Sequence, residues 1–353
     1  MESGVAYFAA TNAISSSRLL GFSVTWSILA TALMLVFIVA LGSLLNVGNY
    51  PLTFPAVFIL GNLLLSFGTA YCYSRLQFSL PAAVTAATCV LMIILLIADE
   101  NSTAFSLNVP FLYFVLFFIQ GAVLIAWVIA TTKAGKSRFI LSFTDIKKIA
   151  RYSILACIAN LLFLLVTRID YLFIRTFHNN FDLGNYAQAS RIAQLLFLLP
   201  GIIATVVFPL TATSGGSDYP RKAGGIVYAL LGLNALAGIT VAVCGPWLFP
   251  AVFGDTFSKM HKPFMLLLPG ILAMSAAYPF AAFFAAKNKI RINIVAGLLS
   301  LLIIVPGDFL FIPRYGINAA AIVSSAGYIV YAAYIIGCFT LKRKQNATFL
   351  GDD

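Results

Sequence analysis

The chain has 353 residues, of which 61% are hydrophobic and only 9% charged, with a mean hydropathy of +0.98. A soluble domain is about 45–50% apolar and about 25% charged, so a water-soluble fold of this size has nowhere to hide the excess, and lipid must serve as part of its solvent. The net charge of +11 does not mark a nucleic-acid binder either, because the cations fall in short clusters between apolar runs instead of along one solvated face.

A bilayer core of about 30 Å needs about 20 apolar residues per helix. In chain order, ten stretches qualify: 19–45, 52–73, 79–98, 109–130, 152–176, 185–211, 225–248, 263–286, 290–312 and 315–340. They are continuous apolar runs without period-two alternation, which excludes a β-barrel. The first follows a single cation and is too long for a cleavable signal peptide, and Val5–Ile14 before it is apolar but too short to cross. The expected fold class is all-α, a polytopic membrane protein. Residues 133–151 form the longest connection and divide the chain into an N-terminal lobe of four helices (1–132) and a C-terminal lobe of six (152–341), followed by a tail (342–353). Within the connection, Ser142–Ile149 reads either as a short amphipathic piece lying on lipid headgroups or as a plain connector.

Lys and Arg in alternate loops give the orientation. One set, which includes the 131–151 loop, the 287–291 turn and the tail, carries sixteen; the opposite set carries four, Arg175, Lys259, Lys262 and Arg314. Both termini are therefore expected in the cytoplasm.

Charges inside spans cost about 2.5–3.5 kcal/mol on insertion scales, so each needs a reason. Arg168 and Asp170 lie in the outer part of the fifth span and Arg191 at similar depth in the sixth. An Asp170–Arg191 ion pair is geometrically available, whereas Arg168 and Asp170, two residues apart, cannot share one helix face. Two readings stand: a wet cavity whose cations hold an anionic substrate beside a titratable acid, or a structural ion pair between helices. Gln188 and Gln194, each a turn from Arg191, favour a wet face. Asp308, near an outer helix end, reads more simply as an interfacial carboxylate. Helix breakers at Pro200-Gly201 and Pro269-Gly270 are candidate hinges, while Ala319, Ala320, Ala321, Ser324 and Ser325 read as small packing residues. Tyr71, Tyr73, Trp127, Tyr171, Tyr186, Trp247 and Tyr315 read mostly as interface anchors.

No catalytic motif appears, and outer loops are too short to build a site, so the chain is not expected to be an enzyme. The five cysteines have no framework or CxxC spacing. With only His178 and His261 as histidines, a His-based metal site is not expected, nor is any cofactor.

The stretch from Ile149 to Ser214, with Thr167-Arg168-Ile169-Asp170-Tyr171, Gly184-Asn185-Tyr186 and Phe208-Pro209-Leu210, resembles the start of the second half of polysaccharide repeat-unit flippases. These are the O-antigen and exopolysaccharide translocases of the multidrug/oligosaccharidyl-lipid/polysaccharide exporter (MOP) superfamily. Ile312-Pro313-Arg314-Tyr315-Gly316-Ile317-Asn318-Ala319-Ala320-Ala321 resembles the family's turn into its last helix. The resemblance implies a MATE-like arrangement, two lobes around a central cavity, in a bacterial inner membrane. It also implies an undecaprenyl-pyrophosphate-linked oligosaccharide as cargo, a proton or sodium gradient as drive, and polysaccharide polymerase and chain-length machinery as partners beside membrane lipids. Relatives usually have twelve or fourteen spans, so the first two helices are expected to be missing. A drug or small-metabolite antiporter of the same fold, a truncated non-transporting protein and an enzyme of envelope polysaccharide assembly remain alternatives.

Overall fold

A computed structural model describes residues 1–45, 51–100, 108–132, 142–213 and 219–349. Among these, all ten expected spans are helices long and apolar enough to cross a membrane. They are α2 (Ser16–Leu45), α3 (Thr53–Ser74), α4 (Ser79–Glu100), α5 (Val109–Thr131), α6 (Phe143–Phe177), α7 (Asn180–Gln194) with α8 (Leu198–Thr213), α9 (Tyr219–Phe253), α10 (His261–Ala286), α11 (Arg291–Tyr315) and α12 (Ile317–Phe349). The short α1 (Glu2–Ala10) precedes them. Large apolar side chains such as Val36, Val243, Trp247 and Leu302 are more than half exposed, the pattern of helices whose outer faces meet lipid.

The chain divides into two compact units, Met1–Ser153 and Ile154–Asp353. One expectation about the connection changes. Ser142–Ile149 is no separate surface piece: from Phe143 it is the start of α6, which runs unbroken for 35 residues. At about 1.5 Å per residue that is roughly 52 Å, so the helix crosses the bilayer with its polar first turns to spare. Within the expected tail, residues 342–349 are helical and extend α12. Residues 133–141 and 350–353 lie outside the described residues.

In the N-terminal unit, α3 and α5 touch backbone to backbone. A Cβ on Gly61 would lie 2.6 Å from Phe118 N, and one on Gly121 would lie 2.6 Å from Leu65 N. Small residues at such contacts let membrane helices gain dispersion energy where no hydrophobic effect drives them together. Gln120 donates to Thr88 Oγ1 at 2.5 Å, tying α5 to α4.

The C-terminal unit buries its core between α10 and α12 and around them, with Phe264, Leu267, Met274, Phe284, Tyr328 and Ile335 almost fully enclosed. Its prolines shape it. A proline lacks the N–H that would satisfy the carbonyl four residues earlier and clashes with that turn. Pro200 thus explains the 3₁₀ turn Leu195–Phe197 that splits the sixth span into α7 and α8. The freed Leu196 carbonyl accepts Asn234 Nδ2 at 3.0 Å from α9. Pro246 frees the Ala242 carbonyl in the same way, and His261 Nε2 takes it at 2.8 Å. In both cases a side chain from a neighbouring helix replaces the missing donor, as a buried carbonyl in lipid requires.

Candidate functional site: a buried carboxylate pair in the C-terminal unit

Asp170 lies on α6, its side chain fully enclosed. Its Oδ2 accepts the Tyr186 hydroxyl from α7 and the Ser324 hydroxyl from α12 at 3.0 Å, while its Oδ1 accepts the Tyr171 backbone N–H at 2.9 Å. Three helices therefore orient one carboxylate with donors that carry no charge.

Asp308 on α11 is also fully buried, and among the described residues neither of its carboxylate oxygens has a hydrogen-bond partner. This corrects the expectation of an interfacial carboxylate: the position falls seven residues before the end of α11, on its inward face. Asp308 lies within electrostatic reach of Asp170. Tyr328, one turn beyond Ser324, sits in the field of both, and its hydroxyl is buried without a partner. Neither carboxylate makes an ion pair among the described residues.

The Asp170–Arg191 ion pair does not form. Arg191 is exposed, and Asp170 spends its acceptor sites on hydroxyls and a backbone N–H instead. Arg168 is half-buried and is held on the same helix as Asp170 by neutral groups. It donates to Tyr171 Oη at 2.5 Å and to Gln194 Oε1 at 2.9 Å, with its guanidinium 5.1 Å from the Tyr171 ring centroid. Gln194 in turn donates to Ser190 Oγ at 2.9 Å. The structure therefore joins Arg168 with Gln194 and leaves half-buried Gln188 and exposed Arg191 outside that network.

Pro200-Gly201 lies in the first turn of α8, directly after the 3₁₀ turn. Pro269-Gly270 lies inside an uninterrupted α10, where the Gly270 N–H donates to Ser325 Oγ at 2.8 Å. A Cβ on Gly270 would fall 2.5 Å from Ser325 Cα, so glycine is there to let α12 approach.

Several polar groups lie deeper than their sequence positions predict. Tyr186 is fully buried, and Tyr71 nearly so, instead of anchoring an interface. Ser324 and Ser325 are hydrogen-bond donors and acceptors for Asp170 and Gly270, beyond being small. The usable signal was spacing: Ser324 and Tyr328 share a face of α12 at i and i+4.

Among the described residues, ten helices long and apolar enough to cross a membrane, with buried acidic groups in the second unit, define a multi-pass, all-helical membrane fold. Solved structures agree on that fold. The Vibrio cholerae MATE transporter VcmN in its bent form superimposes with a TM-score of 0.78 at 16% identity, over 98% of this chain and 85% of that one. A MOP-superfamily transporter from Pyrococcus furiosus gives 0.71 at 12% identity, over 97% and 84%. The MATE transporter ClbM in complex with Rb⁺ gives 0.70 at 14%, over 98% and 87%. No curated protein matches the sequence. Residues 10–262 match the family described as "Polysaccharide biosynthesis protein", and the chain belongs to that family.

Proposed function

We propose that the chain carries a lipid-linked oligosaccharide, an undecaprenyl-pyrophosphate repeat unit, from the cytoplasmic to the outer leaflet by alternating access, driven by a proton or sodium gradient acting at Asp170 and Asp308. The observation that carries this reading is a pair of fully buried carboxylates without an ion-pair partner among the described residues, one of them without any hydrogen bond. An ionised carboxylate in an apolar interior is costly unless a proton or a cation neutralises it. A group retained at that cost fits a visiting ion. One elementary charge crossing 100 mV gains about 2.3 kcal/mol, enough to bias a transport cycle. That ClbM, with the same fold, is known with a monovalent cation is in keeping with this role.

The cargo assignment rests on the polysaccharide-biosynthesis family and on the cations of α6 and α7. Arg168 and Arg191, with Gln188 and Gln194, offer donors for a pyrophosphate or an acidic sugar. Pro200-Gly201 and Pro269-Gly270 are the bending points of the cycle. The loop charge bias of sixteen against four supports cytoplasmic termini in a bacterial inner membrane, where polymerase and chain-length machinery would receive the product.

Complementation tests the proposal. In a strain lacking its own repeat-unit flippase, the wild-type chain restores surface polysaccharide, whereas Asp170→Asn and Asp308→Asn at equal membrane abundance do not. Failure of the wild type to restore export, with drug resistance conferred instead, replaces the reading by the antiporter alternative.

A further inference from the structure

A second feature of the C-terminal unit starts about two turns from Asp170 on α6 and runs away from the carboxylates. A cavity of about 240 Å³ is walled by Phe163, Tyr278 and Tyr331, by the amides of Asn160 and Asn293, and by small side chains including Ala282. Asn293 and Asp308 are fifteen positions apart on α11, about 22 Å at 1.5 Å per residue. The cavity therefore belongs to the end that carries the Lys287, Lys289 and Arg291 turn.

The rings hold one another in place. Tyr278 stacks on Phe197 at 5.5 Å between centroids and meets Phe163 edge-on at 5.6 Å, and Phe163 meets Tyr331 edge-on at 6.3 Å. Such contacts fix ring orientation beyond what area burial gives. The Asn293 amide is fixed too: its Nδ2 donates to Ala281 O at 3.0 Å. Asn160 and Asn293 bring two side-chain amides to a cavity whose wall is otherwise aromatic and aliphatic. Among the described residues, no charged side chain lines it.

We propose that this cavity is a subsite for one neutral sugar ring. A pyranose offers an apolar C–H face to an aromatic wall and a rim of hydroxyls to amides and phenols, which is the chemistry assembled here. A phosphate would find no cation in the cavity wall and a cationic drug no carboxylate. A lipid chain would make no use of the two amides in the wall. The volume falls below the about 300–1,000 Å³ of sites for drug-sized ligands, which suits a single ring rather than a whole repeat unit. The inference rests on the glycan-transport reading and adds to it where the first sugar is gripped: at the cation-rich end, which under that reading faces the cytoplasm, where cargo loads.

The test uses the full chain in lipid nanodiscs and two probes, undecaprenyl phosphate carrying one glucose and undecaprenyl phosphate alone. The wild type binds the sugar-bearing lipid about tenfold or more tightly than the bare one, and methyl glucoside competes only with the former. Asn293→Ala and Ala282→Trp remove the preference without changing affinity for the bare lipid. Equal affinities for both lipids, or a preference that survives in the folded variants, overturns the subsite. A chain that translocates glycan yet ignores the ring defeats the subsite alone; one that prefers the ring yet never translocates defeats the transport reading alone.

Discussion

Ser324 on α12 donates its hydroxyl to Asp170 Oδ2 on α6 at 3.0 Å, the same oxygen that Tyr186 on α7 reaches. Because the three residues sit on separate helices, the carboxylate registers any sliding of α6, α7 and α12 against one another. A gain or loss of positive charge at Asp170 would in turn change how well those helices are held together. Under the proposed ion coupling, that would link the ion to a conformational change, since a ligand shifts an equilibrium only by its differential affinity for the two states.

Removing one donor weakens the cluster. Ser324→Ala is expected to cost about 1–3 kcal/mol, because the buried acceptor stays, and to lower both the thermal midpoint in detergent and repeat-unit export. Ser324→Thr keeps the hydroxyl and retains most of each. Unfolding monitored by fluorescence, with export in the complementation strain, reads both.

Asp170 and Arg191 do not pair, so the losses caused by Asp170→Asn and Arg191→Gln should add, as for sites without shared partners. Arg168 and Gln194 do share a hydrogen bond, and their alanine variants should show an interaction energy of about 0.5–3 kcal/mol. Thermal midpoints of singles and doubles in detergent decide both cycles, since Asp170→Asn is expected to leave no export to compare.

Asn234 replaces the donor that Pro200 lacks. Asn234→Leu leaves the Leu196 carbonyl unsatisfied and should destabilise by about 1–3 kcal/mol. Pro200→Ala restores a backbone N–H to that carbonyl, so the double variant should recover thermal stability. A double variant as unstable as Asn234→Leu would show that the hydrogen bond is incidental.

In the N-terminal unit, Gly121→Val drives a side chain into the α3 backbone at Leu65 and Gly61. A change of rotamer brings no relief, because the clash is with backbone atoms. The helices must separate, and the protein should lose its monodisperse peak in detergent size-exclusion chromatography.

Hydropathy made the spans legible: all ten lie where continuous apolar length demanded, and the family resemblance stood on residues around Arg168-Ile169-Asp170 and Tyr315-Gly316. The site was legible by residue type more than by partner. Asp170 and Arg168 are polar where lipid should be, so they announce themselves, but Asp170 finds its donors in Ser324, 154 positions away, and in a tyrosine that composition files under interface anchors. Asp308 looked cheap because the Pro306-Gly307 break suggested a helix end, yet α11 continues through it to Tyr315. Likewise Pro200 predicted a break without revealing that Asn234 would repair it. What stayed hidden was each group's distant surroundings, its long-range hydrogen bonds above all, which local pattern does not encode.

The most direct test of ion coupling at the buried carboxylates reconstitutes the chain in proteoliposomes with a fluorescent undecaprenyl-pyrophosphate oligosaccharide in the inner leaflet, and follows its arrival outside under imposed proton or sodium gradients. Transport should quicken with one of the two gradients and lose that response in Asp308→Asn, while slow gradient-independent exchange persists. Translocation indifferent to both gradients, or an Asp308→Asn protein that responds like the wild type, would contradict the account.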